Sequence, residues 1–251
     1  MRILLFINII IFIAFIEFWF SLRSAPAKRG ANILSNFILL FFCIIISTIS
    51  VKNLPILSSY FSASKSFGIF NVFELGFWSK LLLSYIVLDY ALYFQHYASH
   101  KIPFLWRFHK VHHSDTLLDF STGVRFHPGE IILSTLWKSL VVLAFGIPIY
   151  CFILFEIFLN SASLLSHGNY KIHLWLDRVL SLVLVTPNIH QIHHHIDKDI
   201  ADHNFGFVHT LWDRIFGTFH RGQVDPDFPL GIADNIPHKK SADLLWMPFK
   251  K

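Results

Sequence analysis

The sequence predicts an all-α integral membrane protein, with about four transmembrane helices and a cytoplasmic, helical, histidine-rich region. Three observations carry this expectation. The 251 residues are 54% hydrophobic and only 15% charged, whereas a soluble domain carries about a quarter charged residues. Apolar runs of membrane-crossing length recur along the chain. The histidines that flank those runs repeat at helical spacings. Mean hydropathy is +0.52, and phenylalanine alone contributes 28 residues.

The elements follow from the runs. Residues 3–20 are almost wholly apolar until Glu17, and 33–50 form a second run. A third spans 77–95 and ends in a histidine pair. Each is close to the ~20 residues that cross a bilayer. The stretch 131–166 is twice that length and is interrupted by Gly146-Ile147-Pro148, a breaker triplet, so it reads as a helical hairpin. Lys138 and Glu156 each lie nine residues from Ile147. An antiparallel turn there puts them at equal depth, where buried charges pair. Residues 174–186 are apolar but short and include Asp177 and Arg178, which suits an interfacial helix. The polar remainder carries Pro226, Pro229, Pro237 and Pro248. No repeat or second domain is visible, so 1–251 reads as one membrane-embedded unit.

Charge sets the orientation. The net charge of +5 and pI near 9.2 suit anionic headgroups. The basic residues are scattered and the aromatics lie in apolar runs, which excludes a nucleic-acid partner. The loop 21–32, with Arg23, Lys28 and Arg29, should be cytoplasmic. The N-terminus is then outside, 52–76 forms an outside loop, and both 96–130 and 168–251 return to the cytoplasm. Ala25-Pro26-Ala27 also resembles a signal-peptide cleavage site, but the following basic residues favour an uncleaved span. Cys43 and Cys151 sit in apolar segments and read as small buried hydrophobes.

Ten histidines have ligand-like placement. His96 and His100 form HxxxH. His109, His112 and His113 form HxxHH, and His190, His193 and His194 repeat it. His127 follows in Arg125-Phe126-His127-Pro128, and His167 closes the hairpin. Residues at i, i+3 and i+4 share a helix face, so each HxxHH is expected to aim three imidazoles at one point. Imidazole suits Zn, Cu, Fe and Ni. Ten ligands exceed one ion and suit two.

Asp89, Tyr93, His96 and His100 are spaced by 4, 3 and 4 and share a face. Asp89 is therefore expected to act in the site, as a carboxylate partner for an imidazole N–H. Glu130 is read as a helix-start acid or as an outer partner of a ligand. His127-Pro128-Gly129-Glu130 lacks the second glycine of a haem-binding loop. His195 should face away, because adjacent helical residues point about 100° apart. His173, His203, His209, His220 and His238 lack ligand spacing, although Asp202-His203-Asn204 follows the last triplet closely.

Five stretches together resemble the fatty acid hydroxylase / sterol desaturase superfamily, most closely its bacterial sterol-desaturase-like members. They are 89–100 (DYALYFQHYASH), 106–115 (WRFHKVHHSD), 125–128 (RFHP), 186–194 (TPNIHQIHH), and 204–206 (NFG) with 211–218 (LWDRIFGT). They keep the family's order and cover about half the chain. The resemblance implies a helical membrane fold with two Fe ions held by histidines on the cytoplasmic face. It implies O2-dependent hydroxylation or desaturation of a lipid. The implied ligands are His96, His100, His109, His112, His113, His190, His193 and His194, with His127 and His167 as additions.

A mono-oxygenase or desaturase acting on a sterol, hopanoid, carotenoid, fatty acyl or ether lipid is the leading expectation, in a bacterial inner membrane with the site cytoplasmic. The chain carries no haem or flavin motif, so a separate electron donor (cytochrome, ferredoxin or reductase) is expected. A non-redox enzyme holding zinc is the first alternative. A metal transporter is the second, and it is disfavoured because transporters bind near the bilayer midplane, whereas these histidines flank the spans.

Overall fold

The computed structural model describes residues 2–24, 28–73, 75–233 and 240–250, with side chains from Phe6 onward. The Ala25-Pro26-Ala27 segment and His238 lie outside the described residues. Helices account for the architecture, with isolated bridges and no strand among the described residues. They are α1 (Arg2–Phe20), α2 (Arg29–Ser50), α3 (Leu54–Ser64), α4 (Ile69–Val72), α5 (Phe77–Lys101), α6 (Pro103–His113), α7 (Pro128–Phe145), α8 (Ile149–Ser166), α9 (Leu174–Leu180), α10 (Pro187–His193), α11 (Lys198–Ala201), α12 (Leu211–Ile215) and α13 (Ser241–Trp246).

Three segments among the described residues are long and apolar enough to cross a membrane: Arg29–Val72, Pro128–Phe145 and Ile149–Ser166. Phe6–Phe20 is a shorter apolar helix. Residues 77–95, expected as a span, lie in α5. That helix is diluted by Lys80, Ser84, Asp89 and Gln95 and is not one of the three. Apolar side chains stay outward along the bundle; Ile49 is 81% and Trp78 76% exposed. A belt of that kind is a lipid-facing surface. This is a membrane protein.

The hairpin forms where the breaker triplet predicts. Gly146 ends α7 in the left-handed conformation at φ +70°, which glycine adopts without Cβ strain, and Pro148 precedes α8. Lys138 Nζ lies 2.8 Å from Glu156 Oε1, so the expected pair exists. The turn is also packed from outside. A Cβ on Gly68 would fall 2.4 Å from the Gly146 nitrogen, so the two backbones meet with nothing between them.

That contact corrects the reading of 52–76 as a loop. Residues 54–64 form α3, started by Pro55 in its first turn, where proline is tolerated. Cys43 donates to the Phe126 carbonyl, just before α7 begins. Gly68 meets the far end of α7. The α2–α3 segment therefore runs alongside α7, broken at Val51–Asn53. The core lies between α5, α7 and α8, where Leu88, Ala91 and Leu92 pack with Val141, Val142, Phe152 and Phe155. Trp137 Nε1 donates to the Ala91 carbonyl at 2.8 Å, fixing α7 against α5 and thereby the level of the α5 histidines.

Candidate metal centre

The helix ends below the bundle bring nine histidines together in two groups. One holds His96, His100, His109, His113 and His193; the other holds His112, His167, His190 and His194. Within each group the donor atoms lie within 4.8 Å of one another, and every member is buried.

Each HxxHH straddles both groups rather than aiming three rings at one point, which corrects the simpler expectation. His109 and His113 enter the first group, while His112 enters the second; His190 and His194 enter the second, while His193 enters the first. The helix dictates this division. Residues at i and i+4 are ~40° apart around the axis, but i+3 and i+4 are ~100° apart. Each lone i+3 ring therefore reaches across to the other triplet's group.

The ring tautomers are fixed from outside. Nδ1 of His96 donates to the Phe205 carbonyl (2.7 Å), that of His167 to Ser163 (2.6 Å), that of His193 to His203 (2.8 Å) and that of His112 to Arg125 (3.3 Å). His100 Nδ1 donates to Asp202 Oδ1 at 3.0 Å and His109 Nδ1 to Glu130 Oε1 at 2.7 Å. Carbonyls and carboxylates only accept, so each of these rings carries its proton on Nδ1 and turns a bare Nε2 inward.

Those inward nitrogens crowd one another. The separations are 3.1 Å for His96–His109 and His100–His113, 3.2 Å for His109–His113, 3.1 Å for His112–His167, 2.9 Å for His167–His190 and 3.2 Å for His190–His194. In His96–His109 and His112–His167 both facing nitrogens are bare, and lone pairs this close repel unless a cation lies between them. Nitrogens ~2.1 Å from one ion are ~3.0 Å apart at right angles and ~3.4 Å apart in a tetrahedron. The observed spacings match the right-angle arrangement, and five donors exceed a closed tetrahedral site. The donor set therefore fits metal.

Burial keeps eight of the clustered rings neutral. Desolvation first, then the neighbouring imidazoles, holds His96, His100, His112, His113, His190 and His194 well below the ordinary histidine range. Burial brings His167 down to about 4 and His193 to about 3. Neutral imidazole is the ligating form.

Two expected residues stand elsewhere. His127 belongs to neither group. It caps α7, its Nδ1 accepting the Gly129 amide at 2.9 Å while its Nε2 donates to the Leu245 carbonyl at 3.2 Å, so neither nitrogen offers a lone pair to an ion. Asp89 does not touch a clustered imidazole. It accepts from Trp212 Nε1 at 2.9 Å and faces His209 Nδ1 at 3.2 Å, tying α5 to α12. His195 faces away, its Nδ1 accepting the Asp197 amide.

Supporting residues come from motifs that carry few histidines. Asp213 accepts the Phe205 and Gly206 amides at 2.8 and 2.9 Å and the Thr218 hydroxyl at 2.7 Å. It thereby holds the turn whose Phe205 carbonyl orients His96. Burial, against these hydrogen bonds, raises its carboxyl to about 6. Asn204 sits at φ +57° and bonds through its side chain to Ile189 and His220. Arg125 donates to the Val111 carbonyl and to Ser114 and Asn36, clamping the end of α6 against α2. Glu17 accepts the Phe120 and Asn169 amides and pairs with Arg29. Spacing pointed directly to none of these, although Asp213 and Asn204 stood inside the family-like stretches.

A cavity of about 410 Å³ lies between α2, α7 and α8, and Phe126, Glu130 and Phe207 line it. Phe126 stacks on His112 at 4.7 Å and 7°, and Phe207 lies 4.7 Å from the His96 ring. The cavity floor is thus one side chain from each histidine group.

An all-helical membrane protein with two buried imidazole clusters beneath a mostly apolar cavity is, as a class, a membrane metalloprotein. The fatty acid hydroxylase family model matches residues 81–218, more than half of the chain, and the chain belongs to that family. It is 27% identical over 173 residues to ornithine lipid hydroxylase OlsE of Rhizobium tropici, covering 68% of this chain and 51% of that protein. It is 26% identical over 203 residues to human alkylglycerol monooxygenase, covering 79% of this chain and 41% of that one. It is 25% identical over 171 residues to mouse lathosterol oxidase, covering 65% and 54%. The chain thus spans about half the length of these relatives. No solved structure matches it.

Proposed function

We propose that this chain is a membrane-bound di-iron oxidase that hydroxylates or desaturates a lipid with O2. The convergence of nine buried histidines, eight of them with Nε2 atoms 2.9–3.2 Å apart, carries this reading. His96, His100, His109, His113 and His193 would hold one iron, and His112, His167, His190 and His194 the other. Bound iron with O2 supplies an oxidant strong enough for an unactivated C–H bond, which no side chain provides. The chain's own residues do the rest. Phe205 O, Asp202 and Glu130 orient the rings, while Phe126 and Phe207 exclude water and seat an apolar carbon beside the ligands. The names of the relatives support a lipid substrate, whether sterol, fatty acyl or ether lipid.

Two electrons per turnover come from a separate donor, such as a cytochrome, ferredoxin or reductase. The site faces the cytoplasm, in a bacterial inner membrane. Support for that side comes from the basic 21–32 loop, whose Arg23 packs beside the metal end. Lys171 N donates to the Phe20 carbonyl at 2.9 Å, and Arg23 Nη1 donates to Gln191 Oε1 at 2.8 Å. Positive loops remain cytoplasmic.

The deciding experiment is metal analysis of purified protein together with a lipid product assay. Two irons per chain and an O2- and reductant-dependent product are expected. One metal per chain, or turnover without O2, overturns the reading.

A further inference from the structure

The wall of the cavity carries an ion pair where hydrocarbon alone would require none. Lys138 and Glu156 both line it, with Gln95, Ser134 and Asn160 nearby, and their side chains are only 12% and 18% exposed. A buried pair contributes little stability, since apolar replacements of similar volume are often neutral or stabilising. A charge at membrane depth is more often retained for function.

We propose that the Lys138–Glu156 pair recognises one uncharged polar group of the lipid substrate, a group that both donates and accepts a hydrogen bond, as a secondary amide or a hydroxyl does. The inference rests on the lipid-oxidase reading for the identity of the cavity's occupant. The pair is already neutral, so it offers a charged group no net counter-charge in this low-dielectric stretch of wall; the other lining lysine, Lys52, is exposed. The mutual bond uses one of three ammonium protons and one carboxylate oxygen. An amide or hydroxyl laid across the pair accepts from the ammonium and donates to the carboxylate.

Position then fixes where oxidation falls. Lys138 stands eight residues beyond Glu130 on α7 and Glu156 seven before Ser163 on α8, or ~12 and ~10 Å along the helices. The recognised group therefore sits ~10–12 Å from the metal end, and the carbon presented to the ligands belongs to a hydrocarbon part of the lipid.

The test is equilibrium binding to the purified full-length protein in detergent. The probes are N-dodecyl dodecanamide, a secondary alcohol of the same length and an alkane of the same length. Wild type should bind the amide or the alcohol on the order of ten- to a hundredfold more tightly than the alkane, and the stronger of the two identifies the group. The Lys138→Met/Glu156→Met double variant should bind all three alike, with unchanged metal content. Equal binding of amide, alcohol and alkane by wild type overturns the proposal, as does a double variant that keeps the preference. If the double variant does not fold, the charge-swapped Lys138→Glu/Glu156→Lys variant replaces it. A preference surviving the swap supports the proposal and its loss overturns it. Binding needs neither O2 nor electrons, so selective binding by a protein that fails the metal and product assays would sink the oxidase reading and leave this one standing.

Discussion

His113 and His194 stack face to face, with ring centroids 4.4 Å apart and planes within 16°, although each belongs to a different histidine group. One ring from each HxxHH thus packs across the boundary, and the two groups share their walls. Removing an i+3 ring should damage both. Alanine at His112 or at His193 should abolish lipid oxidation and lower total metal below half, because each deletion opens a cavity beside the other group's ligands. Alanine at His220, whose ring meets only His203 at 5.1 Å among the described aromatic contacts, should leave metal content and turnover nearly unchanged. Elemental analysis of the three variants checks this. Full metal in His193→Ala would contradict the shared centre.

Asp202 and Glu130 act through the rings they hold. Glu130→Ala and Asp202→Ala should each lower metal affinity or activity ~10- to 100-fold, the usual loss when a ligand's outer partner is removed. Glu130→Gln should recover most of it, since a glutamine oxygen still accepts from His109 Nδ1. A chelator-competition series gives the affinities. Equal losses for Ala and Gln would show that the carboxylate charge matters rather than the acceptor.

Asp89 makes a different prediction from the one its spacing suggested. Its partners are Trp212 and His209, so Asp89→Ala should retain metal but lose ~1–3 kcal/mol of stability by leaving buried donors unpaired. Thermal melts with parallel metal analysis separate the two effects. Metal loss at unchanged melting temperature would return Asp89 to the site.

These cases mark what the sequence makes legible. Helical spacing identifies eight rings that can converge, and all eight do so, joined by His167 from the end of the hairpin. The same spacing divides each HxxHH, because i and i+4 point together while i+3 points away, so the single focus expected for three rings overlooked the helix's own geometry. His127 has the right neighbours and the wrong tautomer, a fact set by the Gly129 amide and a carbonyl 118 residues away. Glu130 is both things the sequence allowed, a first-turn acid of α7 and a partner of His109. The hairpin and its ion pair were readable because a single breaker fixes a symmetry about Ile147. By contrast, α3 was hidden by its short length, although Pro55 marked its start.

Topology can be checked by cysteine labelling at Lys110 and Ile200. The basic 21–32 loop and the packing of both triplets predict labelling from the cytoplasmic side at both positions. Opposite-side labelling would sink the topology and the shared centre together.

Acid should destabilise the metal-free protein earlier than its carboxylates require. Burial holds His167 at about 4 and His193 at about 3 in the folded chain, whereas a free imidazole titrates near ~6.5. Below ~6.5 the unfolded chain binds protons that the folded chain refuses, so stability rises with pH through this window and falls as pH drops from ~6.5 towards ~4. Above ~6.5 both states are neutral and these rings add no slope. Bound metal competes with protons for the same nitrogens, so the loaded protein should hold its stability to lower pH. Thermal melts in detergent at pH 7.5, 6 and 5 (conditions on both sides of ~6.5), with chelator and with iron, decide the matter. A chelated protein equally stable at all three would refute burial of neutral, metal-ready imidazoles.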